Sequence, residues 1–384
     1  MSRTSRSLGV YIHIPFCRRR CVYCDFLSTG GAHSVPDTYS EDVLKEWSLW
    51  TERLLRDHYQ VQSIYVGGGT PSLLDPVQVR RFIDAIQSAV PTAPGCEVTL
   101  EGNPDSLDDD RIRQFAQAGV NRLSVGVQSF SDPALRQLGR LHSAAQAERV
   151  LVDAHSGPIR NLSLDLMYGL PSSGRAEEIA SLQHAIKLSP EHISWYNLTV
   201  AAGTPLARSV EKGEVVMPDD DAILETMREG WALLESEGYE HYEISNFARP
   251  GFASLHNLAY WLFTDYVGLG LGSSGFVDGR RWTNVDQFEA YDAAIQQRRF
   301  PVAYEEHLEG RRREGEYAML RLRLPLEGLK FAAFQELFQE DVRVVFAGVL
   351  AQLLADDLIA VSEDRVTCTQ RGLELNNVVA EAFI

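Results

Sequence analysis

The chain has 384 residues, 45% of them apolar, enough to bury the core of one domain of barrel size and a smaller second one. Its formal charge of −17 argues against a general affinity for nucleic acid or anionic membrane. No apolar run approaches ~18 residues and the opening MSRTSRSLG has no apolar signal segment, so a soluble protein of the reducing cytoplasm is expected, touching a membrane only through a partner.

Short β-branched runs alternate with helical patterns at roughly 30-residue intervals, the βα repeat of a parallel sheet covered by helices. Six units are read. The first strand is Val10–Ile14, followed after a cysteine loop by a helix over Asp37–Asp57 with Leu44, Trp47, Leu54 and Leu55 apolar. The next strand, Ser63–Gly67, leads into a helix over Pro76–Val90. Strand Cys96–Gly102 precedes a helix that Asp108 caps and Gly119 ends. Strands Arg122–Gln128, Asn161–Gly169 and His192–Val200 complete the series, with helices over Arg175–Leu188 and Asp219–Glu237. In such folds functional groups gather where the strands end, and the unusual motifs fall there: the cysteine loop, GGGTPS, EGNP, GVQSF, DLMYGLP and AAGTP.

After about residue 300 the pattern changes. A charged segment, then LRLPLEGLKFAAFQELF, a helix over Arg343–Asp356 and a polar-tipped wing at Ser362–Arg365 read as a small winged-helix-like α+β domain. The division is therefore 1–300 and 301–384. Acidic residues dominate the second part, which suits a protein contact or a lid better than DNA.

YIHIPFCRRRCVYCDF places Cys17, Cys21 and Cys24 in a C-x-x-x-C-x-x-C set with no fourth cysteine nearby. Three thiolates can hold three irons of a 4Fe–4S cubane and leave the fourth free to chelate the amino and carboxylate groups of S-adenosylmethionine, whereas a cluster used only for electron transfer usually takes four cysteines. The same residues also allow a zinc site completed by His13 or His33, a disulfide, or buried free thiols. Cys96 and Cys368 are isolated and read as packing residues.

Gly67, Gly68 and Gly69 remove side chains where a ligand must approach the backbone, and Thr70 adds a hydroxyl. Glu101 can accept from an ammonium, Arg140 can pair with a carboxylate, and Gln128 and Asp165 can hold a ribose. Separately each is an ordinary strand end or surface arginine. Together they match an amino acid joined to a nucleoside.

YIHIPFCxxxCxYCDF, GGGTP, E-x-NP, GVQSF and DLMYGLP together resemble the radical S-adenosylmethionine enzymes of the oxygen-independent coproporphyrinogen III oxidase group, strongly over residues 9 to about 275. The resemblance implies a partial (β/α)6 TIM-like radical SAM barrel. It also implies that Cys17, Cys21 and Cys24 bind a 4Fe–4S cluster, with Tyr11, Tyr23, Gly68, Gly69, Thr70, Glu101, Gln128, Arg140 and Asp165 around S-adenosylmethionine.

The group divides into decarboxylating oxidases and heme chaperones. The oxidase pattern has a further cysteine two positions after the third, where this chain has Phe26, and a longer segment before the first, where this chain has 16 residues. HNLAYW, His256–Trp261, matches the H-N-x-x-Y-W pattern of the chaperone branch and would present His256 and Tyr260 on one helical face, so His256 is expected to contact heme. Ser273 and Ser274 stand where many relatives have a G-x-G-x-G-A-H loop, which removes a second histidine. The expected function is a heme carrier that delivers to an acceptor hemoprotein, as a monomer or a heme-linked dimer. The alternatives are a coproporphyrinogen oxidase or another radical enzyme. Arg18, Arg19 and Arg20 read either as a solvated loop face or as a docking point for an acidic, flavodoxin-type electron donor.

Overall fold

A computed structural model describes residues 5–384. Six parallel strands form the centre of its large sheet: β1 (Arg6–Ile14), β2 (Tyr59–Gly68), β3 (Thr92–Gly102), β4 (Arg122–Gln128), β5 (Asn161–Tyr168) and β6 (His192–Asn197). Each pairs with its successor. Beyond β6 lie β7 (Glu240–Glu243) and β8 (Asn246–Ala248), and beyond β1 lie β9 (Asp265–Leu269), β10 (Ser274–Val277), β11 (Arg280–Asn284) and β12 (Val302–His307), making twelve strands. Because β1 pairs with β9 and β6 with β8, the barrel stays open between its first and last parallel strands, the partial (β/α)6 arrangement expected.

Alternation along the parallel strands separates two chemically different faces. Val10, Ile12 and Ile14, Ile64 and Val66, Val98 and Leu100, and Leu162, Leu164 and Leu166 turn outward into the core shared with the helices. Tyr11, Tyr65, Glu101, Ser124, Asp165 and Tyr196 occupy the alternate positions and give the barrel a polar interior. Local signals set the helix ends. Asp75 and Gln78 form a reciprocal capping box at helix Pro76–Ala89. Asp108 caps helix Asp109–Ala118, which Gly119 terminates in the left-handed conformation.

β4 has the expected bounds, while β1, β2 and β3 begin earlier than the β-branched runs suggest. Their first residues gain partners from flanking strands, as Arg6 does beside Tyr59, and pairing overrides weak local propensity. Helix Asp37–Arg56 lies where expected, but Leu55 faces solvent. Helices Asp132–Gln137 and Ala144–Ser156, between β4 and β5, and the run β9 to β12 are additions to the six-unit reading. The large sheet thus continues past residue 300 to His307.

A second hydrophobic core gathers Tyr317, Phe334, Phe346, Leu353, Val366 and Phe383. Its small sheet holds β13 (Leu329–Lys330), β14 (Ile359–Val361) and β15 (Arg365–Cys368), with the predicted polar tip between β14 and β15. The helix expected over Arg343–Asp356 is two helices, Val342–Val345 and Ala347–Ala355, joined at Phe346, whose ring is buried in this core. No helix among the described residues is long and apolar enough to cross a membrane.

Candidate functional site

The C-terminal ends of β1 to β6 open into a cavity of about 320 Å³. Cys17, Cys21, Cys24 and Tyr23 form one wall, Gly68, Gly69 and Thr70 the next, and Glu101, Gln128, Arg140 and Asp165 continue round it. Sequence motifs as far apart as the cysteine loop at Cys17 and AAGTP at Ala201 therefore meet in one place.

The cysteine loop is held by its own backbone: Cys17 N donates to Thr29 O at 2.9 Å, Thr29 N to Pro15 O at 2.7 Å, and Cys24 N to Cys21 O at 3.3 Å. All five cysteines are free thiols. Burial pushes the Cys17 and Cys24 thiols up, so both stay protonated until a metal displaces the proton. Neither histidine of the zinc alternative is placed to complete it. His13 spends Nδ1 on Tyr11 OH at 3.0 Å and Nε2 on Leu27 O at 2.9 Å, while His33 lines a separate groove that holds none of the cysteines. Among the described residues no three His, Cys, Asp or Glu side chains stand close enough to share one metal ion. A cubane makes no such demand, because each thiolate takes its own iron.

The glycines make room. A Cβ on Gly69 would lie 2.8 Å from Cys17 Sγ and 2.8 Å from Phe16 O, and Gly68 has a φ of +115° that side chains disfavour. Gly68 N donates to Glu101 Oε2 at 3.0 Å and Tyr65 OH to Glu101 Oε1 at 2.7 Å. Burial nevertheless pushes the Glu101 carboxyl up to about 7, aided by the nearby Asp165 charge. Burial likewise raises Asp165, whose Oδ1 lies 3.5 Å from Ser124 Oγ.

A β-bulge between Gly126 and Gln128 and a left-handed backbone at Gln128, φ 71°, turn that side chain toward the cavity, where its Oε1 accepts from Tyr196 OH at 2.7 Å. Arg140 donates to Asn103 Oδ1 at 2.7 Å, to Gly126 O at 2.5 Å and to Cys21 Sγ at 3.5 Å. It has no carboxylate partner among the described residues. The pairing expected of it is thus left open to a ligand. Three free thiols on one wall, a backbone with no room for Cβ atoms and an unpaired guanidinium fit a cluster together with an amino-acid ligand.

Two expected site residues are placed elsewhere. Tyr11 lies deeper in the barrel, 6.2 Å from the ring of Tyr65, and does not line the cavity. His256, on helix Leu255–Trp261, is 1% exposed. Its Nδ1 meets Ser63 Oγ and its Nε2 meets Tyr260 OH, both at 2.9 Å, while its ring stacks on Tyr65 at 5.0 Å. Burial lowers its pKa to about 3, so it stays neutral. The helix is indeed formed, but both imidazole nitrogens are already engaged, and the structure does not bring His256 to the cavity as a free ligand. Asn103, Ser124 and Tyr196 line the cavity beyond the expected set. Strand alternation carries the signal for Ser124 and Tyr196, each two residues from a position on the same inner face.

Residues 11–184 match the model of the radical SAM superfamily and residues 315–375 that of the HemN C-terminal domain. The fold superposes on coproporphyrinogen III oxidase HemN of Escherichia coli with a TM-score of 0.84, covering 99% of this chain and 90% of that one at 22% identity. Fold and cysteine loop together define a radical S-adenosylmethionine protein, a class that carries a 4Fe–4S cluster and S-adenosylmethionine. Among proteins of known name, the heme chaperone HemW of Escherichia coli (strain K12) is 36% identical over 98% of both chains. HemW of Mycobacterium tuberculosis (strain ATCC 25618 / H37Rv) is 34% identical over 98% of this chain and 94% of its own, and that of Bacillus subtilis (strain 168) 33% identical over 98% and 99%. The chain belongs to the HemW family.

Proposed function

We propose that this protein is a heme chaperone built on a radical SAM scaffold, binding heme and passing it to an acceptor hemoprotein. The observation that carries the reading is similarity to heme chaperones along nearly the whole chain, through the small C-terminal domain as well as the barrel. Phe26, where the oxidase pattern has a cysteine, supports it.

In this reading Cys17, Cys21 and Cys24 hold the cluster, and Gly68, Gly69 and Thr70 leave S-adenosylmethionine room beside it. Glu101 takes its ammonium, Arg140 its carboxylate, and Gln128 and Asp165 its ribose, with Tyr23 beside the cluster and Tyr11 supporting the barrel interior. The bound pair supplies one-electron chemistry. The chain's own residues orient it and keep its charges compensated away from water.

We place the junction between the two parts after His307, at the end of the large sheet, rather than at residue 300. Cytoplasmic residence, a flavodoxin-type electron donor, and a monomer or heme-linked dimer belong to the same proposal. A heme-ligand role for His256 is kept as a second reading, and it requires the helix carrying it to move so that one ring nitrogen is released. The test is an anaerobic assay of the reconstituted protein with reductant, S-adenosylmethionine and coproporphyrinogen, beside a heme titration of the same sample. Stable heme uptake without decarboxylated product is expected. Turnover of the porphyrinogen at an enzyme-like rate sinks the chaperone reading.

A further inference from the structure

Phe26 sits on the cluster loop with 65% of its surface exposed, at the rim of the cavity it helps to line. Beside it, Arg19 and Arg20 are exposed and line the same cavity. Arg18, the third member of the triplet, is tied back to Asp105. Arg19 and Arg20 have no carboxylate partner among the described residues, and Arg20 makes only a long bond, 3.5 Å, to Phe26 O. In a chain of net charge −17, Arg19 and Arg20 put positive charge on the same rim that Phe26 helps to form. Standing at the cavity mouth, the ring offers an apolar face that an arriving flat ligand could cover.

We propose that this rim is where heme is received, with the ring of Phe26 against the face of the tetrapyrrole and Arg19 and Arg20 paired with its two propionates. The inference rests on the heme-carrier reading and assigns it a site. The complementarity is chemical. Heme offers a large flat apolar surface, which an aromatic ring covers by offset stacking, and two carboxylates at one edge, which guanidinium groups bind as charge-assisted pairs. Among the described residues Asp25 is the one exposed carboxylate lining this cavity, and it leaves Arg19 and Arg20 in excess. Glu101 and Asp165, which line the cavity too, are half-buried. Cargo placed here would lie over the cavity mouth, so loading of the cluster site and of heme would be felt by one another.

The experiment is a heme titration of the full-length, cluster-reconstituted protein, repeated with heme dimethyl ester, whose propionates carry no charge. Arg19→Gln/Arg20→Gln is expected to weaken heme binding about tenfold or more while leaving the ester unaffected. Phe26→Ser is expected to weaken both. Retention of the cluster absorbance shows that the loop is intact in each variant. Heme affinity unchanged in both variants, or lost instead in His256→Ala, overturns the rim site and leaves the carrier reading standing. A change confined to the salt dependence of cluster reduction also overturns it, since the arginines would then serve an electron donor. A wild-type chain that takes up no heme overturns both.

Discussion

Burial lifts the Glu101 carboxyl to about 7 although Tyr65 and Gly68 both donate to it, because two hydrogen bonds do not replace the water lost around a full charge. An arriving ammonium would restore the balance. Affinity for S-adenosylmethionine is therefore expected to fall as pH drops from 7 toward 5, at most about tenfold per unit, as Glu101 takes up a proton. Glu101→Gln should bind weakly and without that slope. Calorimetric titration of the reconstituted protein across this range checks both, and a pH-independent affinity in the wild type removes Glu101 from the ammonium site. At this scale the sequence was most informative where one residue type has few uses: the cysteines, the glycine run and the strand-end Glu101 all reach the cavity. His256 was read as a potential ligand because side-chain type alone cannot show that Ser63 and Tyr260 already occupy its nitrogens.

Among the elements, helix Asp37–Arg56 shows how a buried carboxylate can bind distant segments together. Glu46 accepts from Gly270 N at 2.8 Å, Asn284 Nδ2 at 2.7 Å and Tyr291 OH at 2.6 Å, joining this helix to the segment that follows β9. Burial outweighs those donors and raises Glu46 from 4.5 to about 7. Below pH 4.5 the folded and unfolded chains both hold the proton, and between 4.5 and about 7 only the folded chain does. Stability therefore falls as pH rises through that window and levels off above it. Glu46→Gln should remove this share of the slope, improving relative to wild type by up to about 3 kcal/mol between the ends of the window. Urea midpoints at the two pH values measure it, and parallel curves count against it. β4 was legible to the residue because Gly119 ends the preceding helix and the bulge at Gln128 ends the strand. β9 to β12 were not, because β9 joins the sheet beside β1, far away in sequence, and the short antiparallel strands that follow reach the sheet only through it.

Over the whole molecule, helix Leu255–Trp261 joins the barrel interior to the small domain. Glu97 accepts from Leu255 N at 3.1 Å and His256 N at 3.2 Å at one end, and the Arg323 guanidinium lies 4.4 Å from the Trp261 ring centre at the other. Phe263 meets Tyr317 edge-on nearby, and Arg228 grips Glu374 with bonds of 2.6 and 2.7 Å. The partly buried cation–π contact is worth about 1 to 2 kcal/mol. Trp261→Ala is expected to loosen docking of the small domain, so that a single calorimetric transition separates into two. Limited proteolysis after His307 should quicken in parallel. One unsplit transition at the wild-type temperature would mean that the other contacts suffice.

Sequence alone determined the βα order, the three-thiol loop and the set of groups able to hold an amino acid joined to a nucleoside, because alternation, capping and cysteine spacing are local and each carries its own physical signature. Tertiary structure decided which of those groups share a cavity, that Arg140 meets no carboxylate among the described residues, and that both ring nitrogens of His256 are hydrogen-bonded within the fold. It also singled out Arg19 and Arg20 as the members of their triplet with no carboxylate partner among the described residues. Burial and pairing depend on neighbours that folding brings from elsewhere in the chain, and no local pattern encodes them.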